Sequence, residues 1–198
     1  MISYIRGVLS EINEDTIIVE TNGGIGFEIF VSTYTINLLP PIGSEVLVHT
    51  ILSHKEDAME LYGFYSKDEL KIFKLLLKVN GVGNKSALSI TSTFSPDDLR
   101  FAILGEDFKA ISKAPGIGAK TAQRIVLELK DKIDLLEAFE NKISSTTSVK
   151  SNDVKQEAML ALTALGYSSS MVMKVLNSIE VDDNTDCDEL ISEVLRQL

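Results

Sequence analysis

The chain has little of what an enzyme or a secreted protein needs. Its 198 residues hold a single cysteine, Cys187, so no intrachain disulfide can form and a reducing compartment is the simplest setting. No stretch approaches the roughly 18 apolar residues of a membrane span. The start, Met1-Ile2-Ser3-Tyr4-Ile5-Arg6, lacks the basic region, apolar run and cleavage site of a secretory signal. A soluble, cytoplasmic protein without a membrane partner is expected. The two histidines, His49 and His54, stand at odd spacing. On a strand that points them to opposite faces, which argues against a metal pair. Cys187 has no histidine near it in sequence and reads as a small apolar filler. No nucleophile constellation or metal cluster stands out, so neither catalysis nor a cofactor is expected. Gly118-Ala119-Lys120-Thr121 falls short of a P-loop, because Ala119 stands where that loop requires glycine directly before Lys-Ser/Thr. Gly24-Ile25-Gly26 lacks the third glycine and the following helix of a dinucleotide site.

Positive charge is also scarce, and its distribution is informative. The formal net charge is −10, which for the whole chain argues against nucleic acid. Residues 1–64 carry 2 Lys/Arg against 9 Asp/Glu, and residues 143–198 carry 4 against 9. Residues 65–142 carry 13 against 11, so the basic side chains gather in the middle third, where an anionic ligand is to be sought.

Hydrophobic residues make up 44%, enough to build real cores. In the first third they alternate or cluster over 2–12, 16–20, 26–31, 45–52 and 59–64, with turn signals at Asn13-Glu14-Asp15, Asn22-Gly23-Gly24, Pro40-Pro41-Ile42-Gly43 and 54–57. Five short strands, with a longer excursion between the third and fourth, suit an OB-type barrel; a five-stranded SH3-like barrel fits the pattern almost as well. Helical periodicity follows. Ser66-Lys67-Asp68-Glu69 is a capping box opening a helix with Leu70, Phe73, Leu76 and Leu77 on one face. Ser95-Pro96-Asp97-Asp98 is a second helix start. The polar run 141–152 reads as a flexible linker. Three short helices are expected after it, broken at Gly166-Tyr167-Ser168 and at 181–185, with Thr185 and Asp188 as a capping box. The expected class is multi-domain α+β: a five-stranded OB-type β-barrel (1–64), a helical unit (65–142), a linker (143–152) and a small three-helix unit (153–198).

The chemistry lies in a repeat. Lys78 to Ile90 reads Lys-Val-Asn-Gly-Val-Gly-Asn-Lys-Ser-Ala-Leu-Ser-Ile, and Lys113 to Ile125 reads Lys-Ala-Pro-Gly-Ile-Gly-Ala-Lys-Thr-Ala-Gln-Arg-Ile. The copies, 35 residues apart, match at both lysines, both glycines, Ala and the final Ile. Each is expected to end a helix, turn through Gly-apolar-Gly and open another helix. Gly81, Gly83, Gly116 and Gly118 permit positive φ and close approach to a ligand, while Val82 and Ile117 tuck inward. Free N–H groups at the second helix then face an anion. Lys85 and Lys120 fall in that first helical turn, where a lysine opposes the helix dipole unless a phosphate is bound there. This is the helix-hairpin-helix pattern, which grips DNA backbone without reading bases. Arg124, one turn beyond Lys120, reads equally as a further phosphate contact or as a solvated helix residue.

In this order of segments the chain resembles the RuvA family over essentially its whole length. The residues that carry the resemblance are Glu56-Asp57-Ala58, Leu61-Tyr62-Gly63-Phe64, the hairpins from Asn80 to Lys85 and from Pro115 to Ala122, and Glu128-Leu129-Lys130-Asp131. His54-Lys55 departs from the valine-arginine of the family's pattern. The resemblance implies a non-enzymatic homotetramer, one or two per junction, that holds four-way (Holliday) DNA junctions open in recombination, DNA repair and the SOS response. It implies a RuvB hexameric ATPase as motor and the RuvC resolvase as further partner. It also implies that Glu56 and Asp57 form an acidic pin near the junction centre, where composition alone would read a solvated turn. The last unit is then expected to dock the motor through Leu165, Tyr167, Met171 and Met173, residues that equally fit the unit's own small core.

Overall fold

A computed structural model describes residues 2–54, 56, 58–133, 154, 157–159, 161–162, 165, 167, 169–179 and 186–197. The alternating first third closes into a barrel in the order β1-β2-β3-β5-β4, with β1 Tyr4–Ile12, β2 Thr16–Glu20, β3 Gly26–Val31, β4 Glu45–His54 and β5 Met59–Phe64. β1 is long enough to serve both neighbours: Tyr4–Val8 pairs with β4, and the stretch from Val8 to Ile12 pairs with β2 across a register shift after Leu9. β3 and β5 close the barrel in parallel, and α1 (Thr33–Leu38) fills the long excursion between β3 and β4. That order decides for the OB-type barrel over the SH3-like one. Ile5, Leu9, Ile17, Val19, Ile29, Val31, Val46 and Val48 fill the interior. Gly63 sits there too: a Cβ on it would lie 2.5 Å from Ile29 Cγ2 and 2.7 Å from Val48 Cγ1. β4 runs two residues beyond the expected end, because its pairing with β5 continues to His54 opposite Met59.

The middle third is helical: α2 Lys67–Leu76, α3 Asn84–Thr93, α4 Pro96–Leu104, α5 Phe108–Ile111 and α6 Ala119–Leu129, then a 3₁₀ turn Lys130–Lys132. Ser66 and Ser95 cap α2 and α4 as expected, each side chain accepting from the N–H three residues on. The buried stripe of α2 holds Ile72, Phe73 and Leu76, with Leu70 and Leu77 partly buried beside it. Tyr62 and Phe64 belong to β5 by chain and to the helical core by packing, through a ring series Phe30–Tyr62–Phe73–Phe64 with centroids 4.7–5.6 Å apart. Arg100, 3% exposed, ties α4 to α2 by pairing bidentately with Asp68 and, at 3.0 Å, with Asp97.

Near the C-terminus α7 (Ser169–Ser178) and α8 (Cys187–Gln197) share a cluster with Ala158, Met159 and Leu162, and Phe101 of α4 packs against it. Cys187 is half-buried there, and burial together with Glu157, Asp188 and Asp186 pushes its thiol pKa up. Leu190 N–H bonds Asp186 O at 3.0 Å at the start of α8. The expected capping box involves Thr185, which lies outside the described residues. The expected linker, 143–152, and the break at 181–185 also lie outside them. Among the described residues no helix is long and apolar enough to cross a membrane.

Candidate nucleic-acid interface

Both glycine hairpins are present, joining the end of α2 to α3 and the end of α5 to α6. The first glycine of each, Gly81 at φ +90 and Gly116 at φ +78, is left-handed, which is why glycine stands there. The apolar residue between the glycines is buried, Val82 at 6% and Ile117 at 5% exposure. Its own N–H is spent inside the turn, Val82 on Val79 O at 3.1 Å and Ile117 on Ala114 O at 3.0 Å. Gly83 and Gly118 are the N-caps of α3 and α6 in ordinary extended backbone, with no side-chain cap. A Cβ on either would meet nothing within 4 Å, so no packing inside the chain demands glycine at these positions. What a side chain there would obstruct is approach from outside.

The helix ladders leave the first-turn amides without an intrahelical partner. The first intrahelical bonds are Ala87 N–H to Gly83 O at 2.8 Å and Ala122 N–H to Gly118 O at 3.0 Å, so the amides of residues 84–86 and 119–121 precede the ladder. The first turns differ in charge from those of α2 and α4. α2 and α4 carry acids there, Asp68 with Glu69 and Asp97 with Asp98, as the helix dipole favours. α3 and α6 carry none, and present exposed Lys85 and Lys120 instead. Amides that precede the ladder, a positive helix end and a lysine form an arrangement suited to an anion, and it occurs twice.

The first hairpin is fastened to the barrel. Asn84 Nδ2 donates to Ser53 Oγ of β4 at 2.7 Å, and Ser92 Oγ of α3 accepts from Thr33 N at 3.1 Å. Below Asn84, burial and a 2.9 Å hydrogen bond to Glu60 push the Tyr62 pKa up to about 12, so its hydroxyl stays protonated. The second hairpin is fastened to the first. Ser89 Oγ of α3 donates to Pro115 O at 2.7 Å, and Arg124 Nη1 of α6 donates to Asn80 O at 3.1 Å. Sequence reasoning missed Asn84, Ser53 and Ser89, whose partners lie 26 or more residues away in the chain.

Glu56 is exposed in the turn between β4 and β5; Lys55 and Asp57 lie outside the described residues. Leu165, Tyr167 and Met171 are 66%, 39% and 49% exposed, outside the small core formed by Val172, Leu176, Leu190 and Val194. Of Met173 only the helical backbone in α7 is described. Among the described residues no group of three or more His, Cys, Asp or Glu is placed to hold a metal.

An OB-type barrel carrying two linked helix-hairpin-helix motifs defines a class, that of proteins that hold nucleic-acid backbone. Family models match along the chain: the RuvA N terminal domain over residues 1–63, the SAM-like helix-hairpin-helix tandem over 73–131, and the RuvA C-terminal domain over 153–198. The Holliday junction branch migration complex subunit RuvA of Lachnospira eligens is 43% identical over 205 aligned positions, covering 100% of this chain and 99% of that protein. Its counterpart in Clostridium botulinum (strain 657) is 44% identical over 199, with the same coverage. The chain belongs to the RuvA family.

Proposed function

We propose that this protein binds four-way DNA junctions through phosphate contacts, holds them open, and hands their arms to an ATP-driven branch-migration motor of the RuvB type. The observation that carries this reading is the pair of matched hairpins, each with uncapped amides and a lysine where a stability-driven helix would place an acid. The relatives' name, subunit of a Holliday junction branch migration complex, supplies the substrate class and the partner. Two motifs held together by hydrogen bonds can grip both strands of one duplex arm. A homotetramer would then present one such grip to each arm, with the resolvase RuvC acting on the product. The chain is read as a DNA-binding accessory subunit without an ATPase site, divided at about residues 64, 142 and 152. An enzyme that uses the hairpins as a clamp, a glycosylase or nuclease, is the competing class, and it predicts base release or nicking when the protein is incubated with branched DNA and Mg²⁺.

The test is a binding titration on four-way and linear DNA across salt concentrations. Replacing Lys85 and Lys120 with Ala is expected to weaken binding to every DNA sequence alike. It should also flatten the salt slope by roughly one counterion for each lost contact. An unchanged slope would remove both lysines from the phosphates, and equal affinity for four-way and linear DNA in the wild type would remove the junction reading itself.

A further inference from the structure

The two contacts that join the hairpins are the same contact made twice. Ser89 and Arg124 are 35 residues apart, as are their acceptors Asn80 and Pro115, which is the offset of the repeat. Each donor stands four residues after its hairpin's lysine, one helical turn along the same face. Each acceptor is the carbonyl directly before the first, left-handed glycine of the opposite hairpin. The repeat is unlike at this position, Ser in one copy and Arg in the other, so comparing the copies conceals an equivalence that the geometry reveals. The asymmetry has a physical sense: a short hydroxyl spans the gap on one side at 2.7 Å, and a long guanidinium spans it on the other at 3.1 Å.

We propose that Ser89 and Arg124 are reciprocal positioning residues that set the separation of the two hairpins, and with it the spacing at which the protein takes hold of phosphates. This rests on the phosphate-binding reading above. Each bracket holds the residue just before the left-handed glycine, the point where the hairpin's direction is decided. Arg124 Nη1 also lies 3.9 Å from where a Cβ on Gly81 would stand, so the guanidinium lies against the turn itself. Its charge is partly committed as well, with Nε 4.0 Å from Glu128 Oε1. DNA backbone has a fixed repeat, so a grip whose two halves are held at one distance loses less freedom on binding than one whose halves move independently.

Ser89 is the decisive residue, because it carries no charge. Ser89→Ala is expected to weaken four-way DNA binding measurably and by no more than about tenfold, the ceiling that one intramolecular hydrogen bond sets, with the salt slope unchanged. Ser89→Thr, which keeps the hydroxyl, restores what the alanine loses. Arg124→Gln is expected to lower affinity at an unchanged salt slope; a slope lower by about one counterion would make Arg124 a phosphate contact and overturn its part. A measurement without DNA separates this inference from the reading beneath it. Nitroxides are placed at Lys85→Cys and Lys120→Cys on a Cys187→Ser background. The interlabel distance distribution should broaden in Ser89→Ala and stay narrow in Ser89→Thr. An unchanged distribution, or an alanine variant that binds as tightly as wild type, would overturn the proposal. Failure of the wild type to prefer four-way DNA would instead strike the functional reading and leave the distance result standing.

Discussion

Glu69 is a carboxylate with no exposure to solvent. Its oxygens accept from Ser32 Oγ at 2.9 Å, from Thr35 Oγ1 and from Tyr65 N at 3.1 Å, so it joins the N-terminus of α1 on the barrel to the N-terminus of α2 in the helical unit. Burial pushes its pKa up, and the hydrogen bonds from Thr35 and Ser32 pull the other way without cancelling the rise. Because the folded value exceeds the unfolded one, the stabilising contribution is complete below the ordinary carboxylate value of 4.5 and is lost as pH rises through the folded value. Glu69→Gln cannot titrate. The difference in melting temperature between wild type and Glu69→Gln is therefore expected to move in favour of the wild type as pH falls from neutrality toward 4.5. A difference constant with pH would mean that the carboxyl keeps one protonation state throughout. The sequence made Glu69 legible as the last residue of a capping box. It hid the cross-link, because Ser32 and Thr35 lie 37 and 34 residues back and only barrel closure brings them near.

Among the elements, β1 and β4 were readable because buried residues alternate along them, whereas β2 and β5 are short, largely buried apolar runs that were readable from the turn signals around them. β2, β3 and β5 begin and end where the pattern places them. α5 escaped notice: four residues are too few to show a helical period, and it is held by its Asp107 cap and by packing of Ile111. The hairpins were legible because they are duplicated, whereas the brackets between them were not, since pairing across the pseudo-repeat leaves no local pattern. The turn between β4 and β5 carries the proposed acidic pin. In a fourfold assembly such turns would meet junction phosphates near one axis. At about 8 Å and an effective dielectric of roughly 40, each carboxylate–phosphate pair costs about 1 kcal/mol. This repulsion opposes a continuous duplex more than an open junction. Replacing Glu56 with Gln and Asp57 with Asn is expected to tighten binding to linear duplex more than to four-way DNA. If the double variant held duplex no more tightly at low salt, the turn would have no pin function.

At the scale of the whole molecule, basic charge and the proposed DNA grip coincide in the middle third, flanked by acidic segments that carry the proposed pin and motor contacts. A chain ending near Asn141 keeps the barrel, both hairpins and the core they share. It is expected to bind four-way DNA as the full chain does, yet to fail to stimulate the RuvB ATPase; full stimulation would clear Leu165, Tyr167, Met171 and Met173 of a docking role. The shared core also bears on how the protein is made. The barrel's strands are complete at Phe64, but the aromatic end formed by Tyr62 and Phe64 is covered by helices whose last core member is Leu129. At about 5–20 residues per second, a ribosome needs roughly 3–13 s to extend the chain from the one to the other. During that interval only α2, through Phe73, is there to cover the aromatic face, and α2 lacks the helices that back it, which leaves the sort of surface to which a ribosome-associated chaperone binds.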